Sequence, residues 1–171
     1  MELQEAISVA IQYEHRVRDL YAQCVRKTQD PKGQRVFATM AREEQGHVEY
    51  LEARLAEWNA SGMITVAELP TVLPSLAWIK AEALRLAGRP AAPIDPGQPE
   101  LGFLKEALEM EHRTSTFYRS LVEQLDPGYR GMFARFLEIE DGHVAIVQAE
   151  IDALAGHGHW FDFMEFSLEG E

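Results

Sequence analysis

Four stretches of about 25 residues carry apolar side chains at alternating spacings of three and four, the period of a helix with one buried stripe. The first stripe runs Leu3, Ile7, Ala10, Val17, Tyr21 and Cys24; the second Val36, Met40, Leu51, Leu55 and Trp58. The third runs Leu101, Leu104, Leu108, Ser115, Tyr118, Val122 and Leu125; the fourth Phe133, Phe136, Val147, Ile151 and Leu154. Proline and glycine punctuate them at Asp30-Pro31-Lys32-Gly33, Asn59 to Gly62, Asp126-Pro127-Gly128 and Gly156-His157-Gly158. The pattern predicts an all-α chain with long helices over about 2–29, 32–58, 99–125 and 128–155.

The breaks inside each half are a few residues, which makes two antiparallel helix hairpins. Between the hairpins lies a crossover over 59–98, in a region that holds Pro70, Pro74, Pro90, Pro93, Pro96 and Pro99, six of the eight prolines. A helix of ~25 residues spans roughly 38 Å, so a crossover of this length lets the third long helix start at the far end and run parallel to the second. Within it, Ser75 to Ala87 reads as a short extra helix with Leu76, Ile79, Ala83 and Leu86 on one side. The tail, 156–171, alternates aromatics with acids and is expected to pack Trp160, Phe161 and Phe163 on the bundle or on a partner.

At 171 residues and 46% hydrophobic, the chain suits a single domain with a substantial core. Its charge, 16 − 28 = −12, offers no basic face for nucleic acid or anionic lipid. No apolar run approaches the ~18 residues of a membrane span, and MELQEAISVA lacks the basic start of a signal peptide, so a cytoplasmic location is expected. The lone Cys24 excludes an intramolecular disulfide and a four-cysteine metal site, and suits a small core residue.

The positions that interrupt the apolar stripes are Glu14, Glu44, His47, Glu111, Glu140 and His143. Unpaired buried carboxylates cost several kcal/mol each, and the seam supplies no lysine or arginine between these four, so cations are the economical compensation. Glu44 and His47, like Glu140 and His143, are three apart, about 300° around the axis, and both members of a pair face one point. Each pair can grip one ion, while Glu14 and Glu111 close or bridge the site. Hard oxygen donors with two nitrogens suit two iron ions, with manganese or zinc as alternatives.

The chain also repeats itself. YEHRVRDLY at 13–21 aligns with MEHRTSTFY at 110–118, and EEQGHV at 43–48 with IEDGHV at 139–144, at offsets of 97 and 96. The alignment superimposes Glu14 on Glu111, Tyr21 on Tyr118, and one Glu-x-x-His pair on the other, as a pseudo-twofold would require.

One Glu from each of two helices plus Glu-x-x-His from each of two more resembles the ferritin-like di-iron carboxylate bundles. Within that class the chain is similar to the rubrerythrins, through the Glu followed seven residues later by Tyr, the Glu-Glu-x-x-His at 43–47, and the helix lengths; the likeness covers roughly residues 2–155. It implies a ferritin-like four-helix bundle whose non-haem di-iron centre reduces hydrogen peroxide or dioxygen. With one cysteine there is no rubredoxin-type iron site, so electrons would come from a separate electron-transfer protein. Thr114 stands where rubrerythrins place an additional carboxylate, which leaves a six-ligand site.

Two other uses of the same residues are open at this stage: a ferroxidase that takes ferrous iron as substrate, and a binding scaffold that uses metal only for stability. Tyr21 and Tyr118 are candidate hydrogen-bond donors to ligand carboxylates or plain core aromatics. His15 and His112, rotated about 100° from the ligand face, suit a helix interface or the surface. Gln12 and Glu109 point away from the seam, and His157 and His159 suit a polar turn or a small metal or access site. Apolar surface on the tail and the crossover suggests a homodimer.

Overall fold

The computed structural model describes residues 1–93 and 97–164, and all regular structure among them is helical. The helices are α1 (Leu3–Lys27), α2 (Pro31–Ser61), α3 (Leu76–Ala87), α4 (Pro99–Gln124) and α5 (Pro127–His157). The four long elements and the short crossover helix match the pattern reading. Pro96 and residues 165–171 of the tail lie outside the described residues. None of the helices is long and apolar enough to cross a membrane.

The second helix of each half opens and closes on the same devices. Asp30 caps α2 by accepting from the backbone N–H of Lys32 and Gly33, and Asp126 caps α5 by accepting from Gly128, each with proline as the first helical residue. At the other end Gly62 and Gly158 both adopt φ +68°, and their N–H groups donate to the carbonyls of Trp58 and Leu154. The α2 and α5 ends therefore fall at Ser61 and His157, beyond the expected 58 and 155. Gly156 is tolerated inside α5, at the cost of a glycine in a helix, and only the left-handed Gly158 stops it. These caps extend the internal repeat at a spacing of 96 residues.

α1 packs on α2, α4 on α5, α1 on α4, and α3 on α5. The buried apolar residues form two clusters. One holds Val17, Tyr21, Phe37, Met40, Leu104, Ala107, Ile146 and Val147; the other Ile7, Ala10, Leu51, Tyr118, Leu121, Phe133 and Phe136. α2 and α4 pass from the first cluster to the second and α1 and α5 from the second to the first, so each hairpin is antiparallel and α2 runs with α4. Between the clusters every long helix contributes a buried acid, and that polar layer is the site described below.

The last third of α5 is buried almost all round, at Ile146, Val147, Ala149, Glu150, Ile151, Ala153 and Leu154. One stripe cannot account for this. α3 covers part of the outer face, and the tail covers more: Trp160, Phe161 and Phe163 are buried in the chain's own core, with Trp160 edge-on to Phe37 and Phe161 against Trp78. Trp160, Phe161 and Phe163 thus contribute to the chain's own fold. Close approach of Trp160 depends on Gly33, where a Cβ would lie 2.5 Å from the indole Cζ2 and 2.8 Å from Thr28 Cγ2. Gly33→Ala is expected to lower stability by about 1–3 kcal/mol, measurable by urea denaturation.

Glu150 holds the tail in place. It is fully buried, and its oxygens accept from the N–H groups of Phe161 at 2.7 Å and Asp162 at 3.1 Å. Asp162 takes φ +42° to present that N–H, and its own carboxylate pairs with Arg35 at 2.8 Å. Burial outweighs the two donors and pushes Glu150 up to about 8. Because this is above the unfolded value of 4.5, the associated stability is complete below about pH 4.5 and is lost as the pH rises through about 8. Wild type should lose on the order of a few kcal/mol relative to Glu150→Gln between about pH 4.5 and about pH 8.5. Urea melts of both proteins across that range check it; parallel curves would refute it.

Candidate metal centre

Mid-helix positions on α1, α2, α4 and α5 converge in the layer between the two apolar clusters. Glu14, Glu44, Glu111, Glu140 and His143 are completely inaccessible to solvent, and His47 is 1% exposed. All six residues expected from the stripe pattern meet at one place.

They meet as two overlapping groups of four. One donor atom each from Glu14, Glu44, His47 and Glu140 lies within 4.8 Å of the others, and the same holds for Glu44, Glu111, Glu140 and His143. Glu44 and Glu140 belong to both groups, while Glu14 and Glu111 each belong to one. Glu14 and Glu111 therefore stand at opposite ends of the layer, one in each group. Each Glu-x-x-His pair also reaches beyond its own histidine, since its glutamate faces both imidazoles.

Both histidines turn Nδ1 inward. His47 Nδ1 lies 3.1 Å from Glu14, 3.2 Å from Glu44 and 3.3 Å from Glu140; His143 Nδ1 lies 2.8 Å from Glu44, 3.7 Å from Glu111 and 3.8 Å from Glu140. Their rings stack nearly parallel, 6° apart at 5.3 Å. Among the described residues, both oxygens of Glu44 and of Glu140, Oε2 of Glu111, Nδ1 of His143 and Nε2 of both histidines make no well-directed hydrogen bond, although several of the oxygens lie against an imidazole nitrogen. Buried polar atoms are ordinarily satisfied, so this concentration of donor atoms without well-directed partners fits cations.

The electrostatics show the strain of metal-free carboxylates. Burial, reinforced by neighbouring Glu140, raises Glu14 well above the usual range, and burial with Glu44 pushes Glu111 up to about 8. Burial would raise Glu44 too, but His143 and His47 outweigh it and hold its carboxyl below the usual range. Burial opposes charge on His47 and His143, and the surrounding carboxylates override it, raising both imidazoles. The raised carboxylates and imidazoles favour bound protons, with which cations would compete.

The two tyrosines are hydrogen-bonded crosswise. Tyr21 on α1 donates to Oε1 of Glu111 on α4, and Tyr118 on α4 donates to Oε1 of Glu14 on α1. Burial, then the adjacent carboxylate, raises both phenols, so they stay protonated donors. Each fixes one oxygen of a glutamate and leaves the other facing the site.

Sequence reasoning missed Glu43. One of its oxygens lies within 4.8 Å of a donor atom of both His47 and His143, and the crossover holds it through the Thr71 hydroxyl at 2.5 Å and the Val72 N–H at 3.0 Å. The doubled glutamate at 43–44 was the available signal, but nothing local shows that the crossover returns to meet it. Thr114 is buried beside the site with its hydroxyl donating to the Met110 carbonyl, so it offers no anionic ligand. His15 is half-buried, 3.9 Å from Glu52, and His112 is exposed. Cys24 is buried and its thiol is pushed up to about 11 by that burial, as a core residue should be. His157 ends α5 and the exposed His159 follows it, remote in sequence from the ligand positions.

Comparison with known proteins returned no matching family model, curated protein or solved structure.

Proposed function

We propose that this chain is a rubrerythrin-like di-iron oxidoreductase on a ferritin-like bundle, reducing hydrogen peroxide or dioxygen with electrons from a separate donor protein. The observation that supports the reading is the pair of four-residue groups sharing Glu44 and Glu140, whose buried oxygens make no well-directed hydrogen bond. Glu14 and His47 would hold one ion, Glu111 and His143 the other, and the two shared glutamates both. The carboxylate-rich set with one imidazole per ion favours iron or manganese over a thiolate-preferring metal.

Iron, when bound, supplies one electron per ion, enough with two protons to reduce one peroxide to two waters. The protein does the rest. Tyr21 and Tyr118 orient Glu111 and Glu14 and keep a proton beside each carboxylate. Complete burial of the ligands excludes bulk water and restricts the reactant to something as small as peroxide or dioxygen. Phe136, edge-on to His47 at 5.3 Å and stacked on Tyr118 at 4.9 Å, walls one side with apolar surface.

The test is anaerobic loading with ferrous iron followed by one equivalent of peroxide. Uptake near two irons per chain, and their oxidation well ahead of ferrous iron in buffer, is the expected result. Continued oxidation of many ferrous ions per chain would replace this reading with iron handling. Metal uptake without faster oxidation would leave a metal-stabilised scaffold.

A further inference from the structure

The composition of α3 exceeds what the chain itself covers. All of its 12 residues except Lys80, Glu82 and Arg85 are apolar, a composition that suits a helix covered on more than one side. Yet α3 packs on α5 alone among the long helices with any substantial contact, and Ile79 is its one buried residue. Leu76 and Leu84 are exposed on the outside, and Leu84, at 78%, is the most exposed large hydrophobic side chain among the described residues.

Beside that leucine the surface is hollow. A cavity of about 530 Å³ opens between α3 and α5, lined by Ala83 and Ala87 on α3, by Ala145, Ala149 and Ala153 on α5, and by Phe161. Alanine keeps the two helices in contact and leaves room that a larger side chain would fill. Leu84 itself borders the cavity, so one face carries both a projecting apolar side chain and an apolar recess able to receive one.

Charge on this face is matched in the same way. Lys80 on α3 and Asp152 on α5 both line the cavity and both are exposed. Among the described residues Lys80 makes no ion pair or hydrogen bond, and Asp152 accepts only from Gln148, through Oδ1 at 2.8 Å. A projection with a recess, and a cation with an anion, on a single surface make that surface complementary to itself. Self-complementarity is the requirement of a twofold contact, in which residue i meets j on the other copy while j meets i.

We propose that this face is the interface of a homodimer, in which Leu84 of each copy enters the alanine-lined recess of the other and Lys80 of each copy meets Asp152 of the other. The proposal makes no use of the metal layer, and its failure would leave the di-iron reading untouched.

Sedimentation velocity of the full chain from about 1 µM to about 1 mM tests it. Wild type is expected to pass reversibly from monomer to dimer within that range. Leu84→Asp should raise the dissociation constant by roughly a hundredfold, because each dimer contains the contact twice. Lys80→Asp sets carboxylates against each other across the twofold, and Asp152→Lys sets ammonium groups against each other, so each alone should weaken the dimer by roughly tenfold or more. An equimolar mixture of these two variants restores opposite charges at both contacts and should form a heterodimer about as tight as the wild-type dimer. All three positions are exposed, so the variants should melt at the wild-type temperature, and recovery on mixing separates twofold pairing from a general loss of structure. A wild-type chain that stays monomeric at about 1 mM, a Leu84→Asp protein that dimerises as tightly as wild type, or charge variants that are not weakened alone and restored on mixing, would overturn the proposal.

Discussion

Glu44→Ala is expected to reduce ferrous iron uptake from two ions per chain to none, while Glu14→Ala reduces it to one. The two glutamates have the same burial and the same chemistry, and differ in how many donor groups they serve. Glu44 belongs to both four-residue groups and Glu14 to one. Removing Glu44 deprives each ion of an anionic oxygen and leaves the two imidazoles facing a thinner set of carboxylates. By the pseudo-twofold, Glu140→Ala should behave like Glu44→Ala, and Glu111→Ala like Glu14→Ala. Metal analysis after anaerobic titration and desalting reads the stoichiometry directly. The metal-free variants should fold, because deleting one of four clustered buried acids relieves repulsion and desolvation. A Glu44→Ala protein that still holds two ions at wild-type affinity would show that the shared position is an accident of side-chain placement.

The second large effect is on stability. Loading both sites should raise the melting temperature by roughly 10–20 °C, taking ligand at about a hundredfold excess over Kd, about 2.7 kcal/mol per ion, and a few degrees per kcal/mol for a chain of this size. The physical source is the cost of the layer itself: four fully buried carboxylates, five of whose oxygens make no well-directed hydrogen bond. Two divalent ions would bring four positive charges into the layer in exchange for the protons that its raised carboxylates and imidazoles favour, and the exchange occurs inside the bundle. Calorimetric scans of chelated and reloaded protein test it; coincident melts would remove the ions from any role in holding the helices together.

Much of this architecture was legible in the chain because its signals are local. Helix period, the proline and aspartate starts and the glycine stops lie within a few residues of one another, and the six interruptions of the stripes are visible as polar residues in an apolar register. The doubled motif then tied distant segments together without any structural information. What was not legible depends on contacts between segments far apart in sequence. Glu150 reads as one more acid on an amphipathic helix, and only the returning tail, 11 and 12 residues on, makes it a buried acceptor. Glu43 reads as a neighbour of a ligand, and only the crossover's Thr71 and Val72 reveal it as part of the layer. The wide buried face of α5 has the same origin, because a single-stripe pattern cannot anticipate coverage by α3 and the tail.

The crossed tyrosines have a consequence for how the two halves of the chain depend on one another. Each hairpin supplies three residues of its own four-residue group and borrows the fourth, a glutamate, from the other; each also lends the hydroxyl that steadies the other's terminal carboxylate. Neither half is self-sufficient, and the debt is exactly mutual. The proline-rich crossover therefore acts as a tether that converts a two-body encounter into an intramolecular one, fixing the ratio of the halves at one to one whatever the protein concentration.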